Sequence, residues 1–234
     1  MTREKMSIMA IIPAKGASKR LPRKNLIDFF GKPLMQYTIE AAIKSEVFNK
    51  IVVCSEDMEV LEKTSNIPGI EVIERPYRLA IDPATVMDVC NYVLDQIREN
   101  YEYVFILLPT TPLRDDIDIR NAYKLLYAHR PDALISVAKF PYEIKFTFFI
   151  DEKNILHRLW TNKNLRDLKM VNDCVADNGG IYALRPMYIR EKEYCPSNTI
   201  PYIMPFWRSI DVDTEENLEL AKAMYNYFII KNAP

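Results

Sequence analysis

Five of the eleven residues from Lys15 to Asn25 are basic (Lys15, Lys19, Arg20, Arg23 and Lys24), and the small residues Gly16, Ala17 and Ser18 lie among them. An apolar run ending in Ile12-Pro13-Ala14 leads directly into this segment. A loop of that composition at the end of a strand suits a polyphosphate. Small residues let backbone N–H groups approach the anion, and the Lys and Arg side chains offset its charge. No Gly-Lys-Ser/Thr follows at the spacing of a Walker A loop. Only Gly16 is available where a dinucleotide fingerprint needs three glycines. A charged run is usually a solvated face, but seldom one placed between a buried strand and a helix.

Three further segments offer polar chemistry. Arg75, Arg78, Asp82 and Thr85 precede a helix start, where the helix N-terminus, a Thr hydroxyl and an arginine can hold a base, a ribose or a phosphate. Asp82 and Thr85 serve equally well as turn and cap residues. The run Leu108-Pro109-Thr110-Thr111-Pro112-Leu113-Arg114 follows the strongest apolar stretch. Its prolines fix the loop and Thr110 and Thr111 offer hydroxyls that can position a substrate, although a stiff connector would read the same way. In Ile210-Asp211-Val212-Asp213-Thr214, two carboxylates two residues apart in an extended segment project to one side. Like charges so placed are costly unless a cation lies between them, and two carboxylates with phosphate oxygens and water suit Mg²⁺. Asp213 and Thr214 also suit the start of a helix, a reading that covers Asp213 better than Asp211. A basic small-residue loop and a carboxylate pair on one edge imply nucleotidyl transfer. Cations would offset charge on a nucleoside triphosphate while an acceptor oxygen attacks the α-phosphorus in line.

The elements that must position these residues alternate. Apolar runs predict strands at 8–13, 50–54, 70–73, 103–108, 133–137 and 180–184, with a short one at 203–206. Helical spacing predicts helices at 33–45, 57–64, 85–99, 116–129, 186–190 and 214–230. Such alternation implies right-handed crossovers and a mostly parallel sheet covered by helices, with ligands at the carboxyl ends of the strands. The loops after Ile12, Cys54, Leu108 and Val137 are therefore the ones expected to hold a site. Around Lys139 the pattern changes, and 139–175 reads as an excursion from the sheet, an arm or flap suited to dimerisation. One domain over 1–234 with that inserted arm is the expected organisation.

Composition narrows the classes. The net charge is −1, so nothing pulls the chain as a whole toward nucleic acid or a membrane. Cys54, Cys90, Cys174 and Cys195 are far apart with no CxxC pair, which argues against a zinc ribbon and fits a reduced, cytoplasmic compartment. His129 and His157 have no metal-type spacing. The N-terminus leads to a strand rather than reading as a signal peptide, and no apolar run approaches membrane-spanning length.

The motif series is specific. It comprises Ala14-Lys-Gly-Ala-Ser-Lys-Arg-Leu-Pro-Arg-Lys-Asn25, Gly31-Lys-Pro-Leu34, Ile51-Val-Val-Cys-Ser-Glu-Asp57, Arg75-Pro76, Leu107-Leu-Pro-Thr-Thr-Pro-Leu-Arg114, Asn178-Gly-Gly-Ile-Tyr182 and Ile210-Asp-Val-Asp-Thr214. In order and over nearly the whole length it resembles the acylneuraminate cytidylyltransferases, the CMP-sialic acid synthetases and their relatives. The resemblance implies a Rossmann-like three-layer α/β/α nucleotidyltransferase with a mostly parallel sheet and a small dimerisation arm, acting as a homodimer. It implies transfer of CMP from CTP to the anomeric hydroxyl of a nonulosonic acid, with Mg²⁺ and release of pyrophosphate. Lys24, Lys15 and Asp211 are then the catalytic candidates, and Asp211 and Asp213 the metal ligands. The nucleotide candidates are Ala14, Lys15, Gly16, Ser18, Lys19, Lys24, Asn25, Arg75 and Thr85. The acceptor candidates are Leu108, Thr110, Lys145, Asn178, Gly179 and Tyr182.

Departures from the family concentrate at the acceptor end. Lys15 stands where the family usually has Arg, keeping the charge without the bidentate fork. Leu108 stands where sialic acid enzymes usually have a Gln facing the sugar, and Ala176-Asp177 where they tend to have Arg-Pro. The expected acceptor is thus related to sialic acid but distinct from it, such as legionaminate, pseudaminate or another 2-keto-3-deoxy sugar acid. Two alternatives carry different expectations. The same chemistry can act on 3-deoxy-manno-octulosonate, or Asp211-Val212-Asp213 can be the metal motif of a glycosyltransferase that consumes a sugar nucleotide.

Overall fold

The computed structural model describes residues 6–140, 144, 147–158 and 174–230. In chain order the strands are β1 (Ile8–Pro13), β2 (Asp28–Phe29), β3 (Lys32–Pro33), β4 (Lys50–Ser55), β5 (Ile70–Glu74), β6 (Tyr103–Ile106), β7 (Ala133–Lys139), β8 (Phe148–Ile150), β9 (Leu156–Arg158), β10 (Val175–Leu184) and β11 (Thr199–Ile203). The helices are α1 (Leu34–Ser45), α2 (Met58–Ser65), α3 (Val86–Gln96), α4 (Asp116–His129), α5 (Pro186–Glu191) and α6 (Glu215–Tyr225).

Seven strands form one sheet in the order β11-β7-β10-β6-β1-β4-β5. The β1–β4, β1–β6, β4–β5 and β7–β11 pairs are parallel, whereas β10 runs antiparallel to both β6 and β7. The sheet is mostly parallel, as the alternation predicts. The chain steps outward from β1 to β4 and β5, then returns to place β6 on the other side of β1. The reversal leaves a crevice at the carboxyl ends of β1 and β6, where α/β sheets bind ligands.

β1 is buried at every residue because both of its faces are covered. Ile8, Ala10 and Ile12 join one core cluster with Met35 and Ile39 of α1 and Ile119 and Leu126 of α4. Met9 and Ile11 join the other, with Val89 and Val93 of α3 and Ile189 of α5. The period-two alternation of one strand thus builds two helical layers. A third cluster lies at the crevice itself. Leu21 from the loop after β1, Leu113 from the loop after β6, and Ile210, Val212 and Leu218 pack together there. This cluster brings the basic loop and the Asp211–Asp213 segment to one place.

Several boundaries differ from the sequence reading. Helix α3 stops at Gln96, with Ile97 already extended (ψ 126°), and β6 stops at Ile106. β10 starts at Val175 and carries an irregularity between Asp177 and Tyr182. The strand expected at 203–206 instead covers Thr199–Ile203, and a single 3₁₀ turn occupies Phe206–Arg208. The apolar residues there misled the pattern, while Pro201 is tolerated because β11 is an edge strand. The last helix is α-helical to Tyr225 and then widens into a π-type turn over Asn226–Ile230. Within the expected arm, β8 and β9 pair as an antiparallel hairpin. Much of the rest of that arm, including Lys145, lies outside the described residues.

Candidate active site

The basic loop is held in shape by a carboxylate. Ala14 N–H donates to the Cys54 carbonyl at 2.9 Å, which ties the start of the loop to β4. Gly16 and Ala17 N–H groups then donate to Glu56 Oε1 at 2.7 and 3.1 Å. Arg75 donates to Glu56 Oε2 from Nε at 3.0 Å and from Nη2 at 2.8 Å. Both side chains are buried, with 2% (Arg75) and 7% (Glu56) exposure. Burial pushes the Glu56 carboxyl up, but the Arg75 hydrogen bonds and charge and the backbone donors outweigh it and hold it below its ordinary range. Arg75, expected at the nucleotide, is buried and supports the loop through Glu56. Gly16 is required by close approach, since a Cβ there would lie 2.6 Å from Asp57 Cβ. Asp57 cannot readily retreat, because its carboxylate caps α2 through the Glu59 and Val60 N–H groups.

Beyond this support the loop encloses a small cavity of about 100 Å³ lined by Ser18, Lys19, Arg20, Leu21, Lys24 and Asp213. Among the described residues the buried Ser18 hydroxyl and Asn25 Oδ1 find no hydrogen-bond partner. Asn25 Nδ2 donates to the Lys15 carbonyl at 2.8 Å and so fixes the backbone at Lys15. Lys19 pairs with Asp82 at 2.8 Å, but both side chains are 79% exposed and the pair is a weak tether. The cavity is cationic, small and partly unsatisfied, as a phosphate group requires.

The carboxylates meet this cavity from the other side. Val212 N–H donates to the Thr110 carbonyl at 2.8 Å, and the Val212 side chain is fully buried, so the flanking Asp211 and Asp213 are fixed in place. Asp213 pairs with Lys24 at 2.5 Å and with Arg20. Burial pushes Asp213 up, but the Lys24 and Arg20 bonds and charges win and lower it. Asp211 is raised, chiefly by burial and further by the Asp213 charge, against a Thr110 hydrogen bond and the Lys24 and Arg20 charges. Its Oδ1 is buried without a hydrogen-bond partner among the described residues. Thr214, not Asp213, caps α6, by accepting from Asn217 N–H. The helix-start reading therefore accounts for Thr214 and leaves both carboxylates to the site. An orphaned buried carboxylate oxygen beside a second carboxylate fits a divalent cation completed by phosphate oxygens and water. Among the described residues no third acidic or histidine side chain joins them.

A second cavity, of about 270 Å³, is lined by Thr85, Val86, Met87, Ile106, Leu108, Asp177, Tyr182 and Tyr194. It adjoins Asp211 through Gly179, whose φ of +68° suits glycine and where a Cβ would lie 3.4 Å from Asp211 Oδ2 and 3.5 Å from Leu108 Cδ1. Thr85 lines this cavity, with its hydroxyl turned to Asp88 at 2.7 Å in a capping box. Asn178 does not face either cavity with a free amide. It accepts from Ser136 (2.6 Å) and Gly180 N–H (3.0 Å) and donates to Ser209 (2.8 Å), which fixes β10. Thr110 is buried against the carboxylate segment. Four functional positions were missed by sequence reasoning. Glu56 and Arg114 stood inside quoted motifs without a role. Met87 and Tyr194 carry no local signal, because only the fold brings α3 and the segment after α5 to β6. Arg114, 1% exposed, donates to the Leu108 carbonyl (3.4 Å), Thr111 Oγ (3.2 Å) and the Gly180 carbonyl (2.7 Å), joining the loop after β6 to β10.

An α/β sheet with a phosphate-sized cationic loop and a carboxylate pair at its switch point defines a nucleotidyltransferase. The cytidylyltransferase family model matches residues 9–226, and the chain belongs to that family. It is 29% identical to pseudaminic acid cytidylyltransferase of Campylobacter jejuni subsp. jejuni serotype O:2, over 94% of this chain and 97% of that protein. It is 34% identical to N-acylneuraminate cytidylyltransferase of Streptococcus agalactiae serotype V, over 91% of this chain and 52% of the longer relative. It is 29% identical to CMP-N,N'-diacetyllegionaminic acid synthase of Legionella pneumophila subsp. pneumophila, over 89% and 92%. The fold matches that of a CMP:2-keto-3-deoxy-manno-octonic acid synthetase solved with CTP, with a TM-score of 0.70, 17% identity and coverage of 94% and 99%. It also matches 4-diphosphocytidyl-2C-methyl-D-erythritol synthase of Anaerococcus prevotii, with a TM-score of 0.66, 13% identity and coverage of 94% and 98%.

Proposed function

We propose that this cytidylyltransferase transfers CMP from CTP to the anomeric hydroxyl of a nonulosonic acid related to sialic acid. The observation that carries the reading is that Asp213 lines a cationic, phosphate-sized cavity while Asp211, two residues away, approaches Gly179 beside the larger apolar one. The three curated relatives named above act, by their names, on pseudaminic, N-acylneuraminic and diacetyllegionaminic acids.

In this reading Lys24, Arg20 and Lys15 offset the triphosphate charge, Ser18 donates to its oxygens, and Asn25 Oδ1 accepts from a hydroxyl or amine of the nucleotide. Lys24 must then exchange Asp213 for phosphate. Asp211 and Asp213 hold Mg²⁺, which when bound withdraws charge from the phosphate oxygens. Gly179 leaves the approach from the apolar cavity to Asp211 open, so the acceptor hydroxyl can reach the α-phosphorus. A new bond joins the anomeric oxygen to that phosphorus, the bond to the bridging β-phosphate oxygen breaks, and the hydroxyl proton is lost to solvent. Pyrophosphate leaves.

We also take the protein to work as one catalytic domain and as a homodimer through residues 139–175. Phe148, Phe149, Ile150, Ile155 and Leu156 of the hairpin are exposed, a larger apolar surface than a lone hairpin usually shows to water. Cys54, Cys90 and Cys195 are free thiols, in keeping with the cytoplasm, and among the described residues no helix is long and apolar enough to cross a membrane. The direct test is pyrophosphate release from CTP and Mg²⁺ against sialic, legionaminic, pseudaminic and octulosonic acids. Release with a nonulosonic acid supports the reading. Release with octulosonate alone assigns a different acceptor, and CTP binding without release from any acceptor rejects it.

A further inference from the structure

The phosphate-sized cavity already contains an anion. Five of its lining residues are Ser18, Lys19, Arg20, Leu21 and Lys24, and the sixth is Asp213. Asp213 Oδ1 accepts from Lys24 Nζ at 2.5 Å and Oδ2 accepts from Arg20 Nη2, so both carboxylate oxygens are taken. Among the described residues Lys24 and Arg20 form their ion pairs with Asp213 and not with Asp211, whose Oδ1 has no hydrogen-bond partner. The carboxylate is the fixed member of this arrangement. Val212 N–H is tied to the Thr110 carbonyl at 2.8 Å, and Asp213 N–H to Asn217 Oδ1 at 3.3 Å. The cations are long, flexible side chains that can leave it, and Arg20 is 68% exposed. A divalent cation can ligate Asp213 only where Lys24 or Arg20 has left an oxygen. A triphosphate can recruit those two cations only by drawing them off Asp213.

We propose that Asp213 holds the place of a phosphate in the nucleotide-free protein, and that one exchange serves both ligands: Lys24 and Arg20 pass from Asp213 to the triphosphate, which frees Asp213 for the divalent cation. The inference rests on the CMP-transfer reading and adds to it a coupling of nucleotide and metal beyond their direct contact. Either ligand alone must break these ion pairs unaided. Once one has done so, the other binds without that cost, and the coupling is reciprocal. Arg20 and Lys24 carry it together, one on each carboxylate oxygen. Asp211 takes no part in the exchange, which separates the roles of two carboxylates that the motif presents as a pair.

A hydrogen bond between charged groups is worth about tenfold in an equilibrium constant. Calorimetry of CTP binding in EDTA reads the first half of the exchange. Asp213→Asn, although it loses a metal ligand, should bind metal-free CTP about tenfold more tightly than the unaltered chain. Asp211→Asn, which removes the same charge without releasing an ion pair, should change that affinity by less than about threefold. Mn²⁺ binding to the nucleotide-free protein, followed by electron paramagnetic resonance, reads the second half. Arg20→Gln frees Asp213 Oδ2 and should bind Mn²⁺ about tenfold more tightly than the unaltered chain. A shift missing from either Asp213→Asn or Arg20→Gln, or one of equal size in Asp211→Asn and Asp213→Asn, would overturn the inference. CMP transfer would still stand on CTP binding with Mg²⁺ and pyrophosphate release. CTP that binds no form of the protein, with or without Mg²⁺, would reject both readings.

Discussion

Glu56 is the residue on which the shape of the basic loop depends, and replacing it separates support from substrate contact. In Glu56→Ala, the Gly16 and Ala17 N–H groups lose their acceptor and the Arg75 guanidinium is left buried without its carboxylate. The loop residues are only half-buried, so their N–H groups can bond to water at little cost. Arg75 cannot, with its side chain 2% exposed. Breaking a buried pair from one side costs about 3–5 kcal/mol, and most of the loss should come from that uncompensated charge. Urea unfolding at pH 7.5 reads this directly. Glu56→Ala should lower stability by about 3–5 kcal/mol, and the double variant Glu56→Ala/Arg75→Met should recover all but about 1–2 kcal/mol of it. CTP affinity should stay depressed in both, because neither restores the tie to Gly16 and Ala17. The Glu56 carboxyl is held below its ordinary range, so its contribution is complete above the unfolded value of about 4.3 and is lost as pH falls through the folded one. A single variant costing under about 1 kcal/mol, or a double variant no more stable than the single, would refute this account.

Other perturbations have distinct signatures. Lys24→Met removes a cation aimed at the triphosphate and should lower kcat/KM by about 10²–10³-fold in steady-state assays, with little change in fold by circular dichroism. Asp211→Asn should abolish most turnover yet leave thermal stability at pH 8 equal or higher. The Asp211 carboxyl is raised by burial, so the stability it contributes is present at low pH and lost as pH rises through its folded value. Gly16→Ala forces Asp57 off the start of α2 and should cost about 1 kcal/mol in urea unfolding together with weaker CTP binding. Arg114→Met takes the buried donor from the Gly180 carbonyl, while the Leu108 carbonyl keeps Thr38 and Thr111, and should cost about 1–3 kcal/mol by the same measurement.

Much of this architecture was legible because its signals are local. The six-residue run of β1, the Thr85 cap of α3, and the Pro186 start of α5 are each written in a few adjacent residues. The basic loop and the Asp211–Asp213 pair were legible for the same reason, since charge of one sign at short spacing is costly without a ligand. What could not be read is what depends on the sheet. That β10 runs antiparallel is set by its insertion between β6 and β7, which its own apolar pattern does not record. That Arg75 pairs with Glu56 follows from the meeting of the ends of β4 and β5, which the separate segments do not record. That Thr85 shares a cavity with Leu108 is set by the packing of α3 beside β6, which neither segment records. Tyr194 follows a helix expected only to cover the sheet.

The central claim is that this chain joins CTP to a nonulosonic acid at the α-phosphorus. The most direct measurement is the product and its stoichiometry, by mass spectrometry and pyrophosphate assay, after incubation with CTP, Mg²⁺ and a nonulosonic acid. The account predicts a CMP-linked sugar acid and one pyrophosphate for each CTP consumed. Intact CTP with consumption of an added sugar nucleotide, or CTP cleaved to CDP and phosphate, would contradict it.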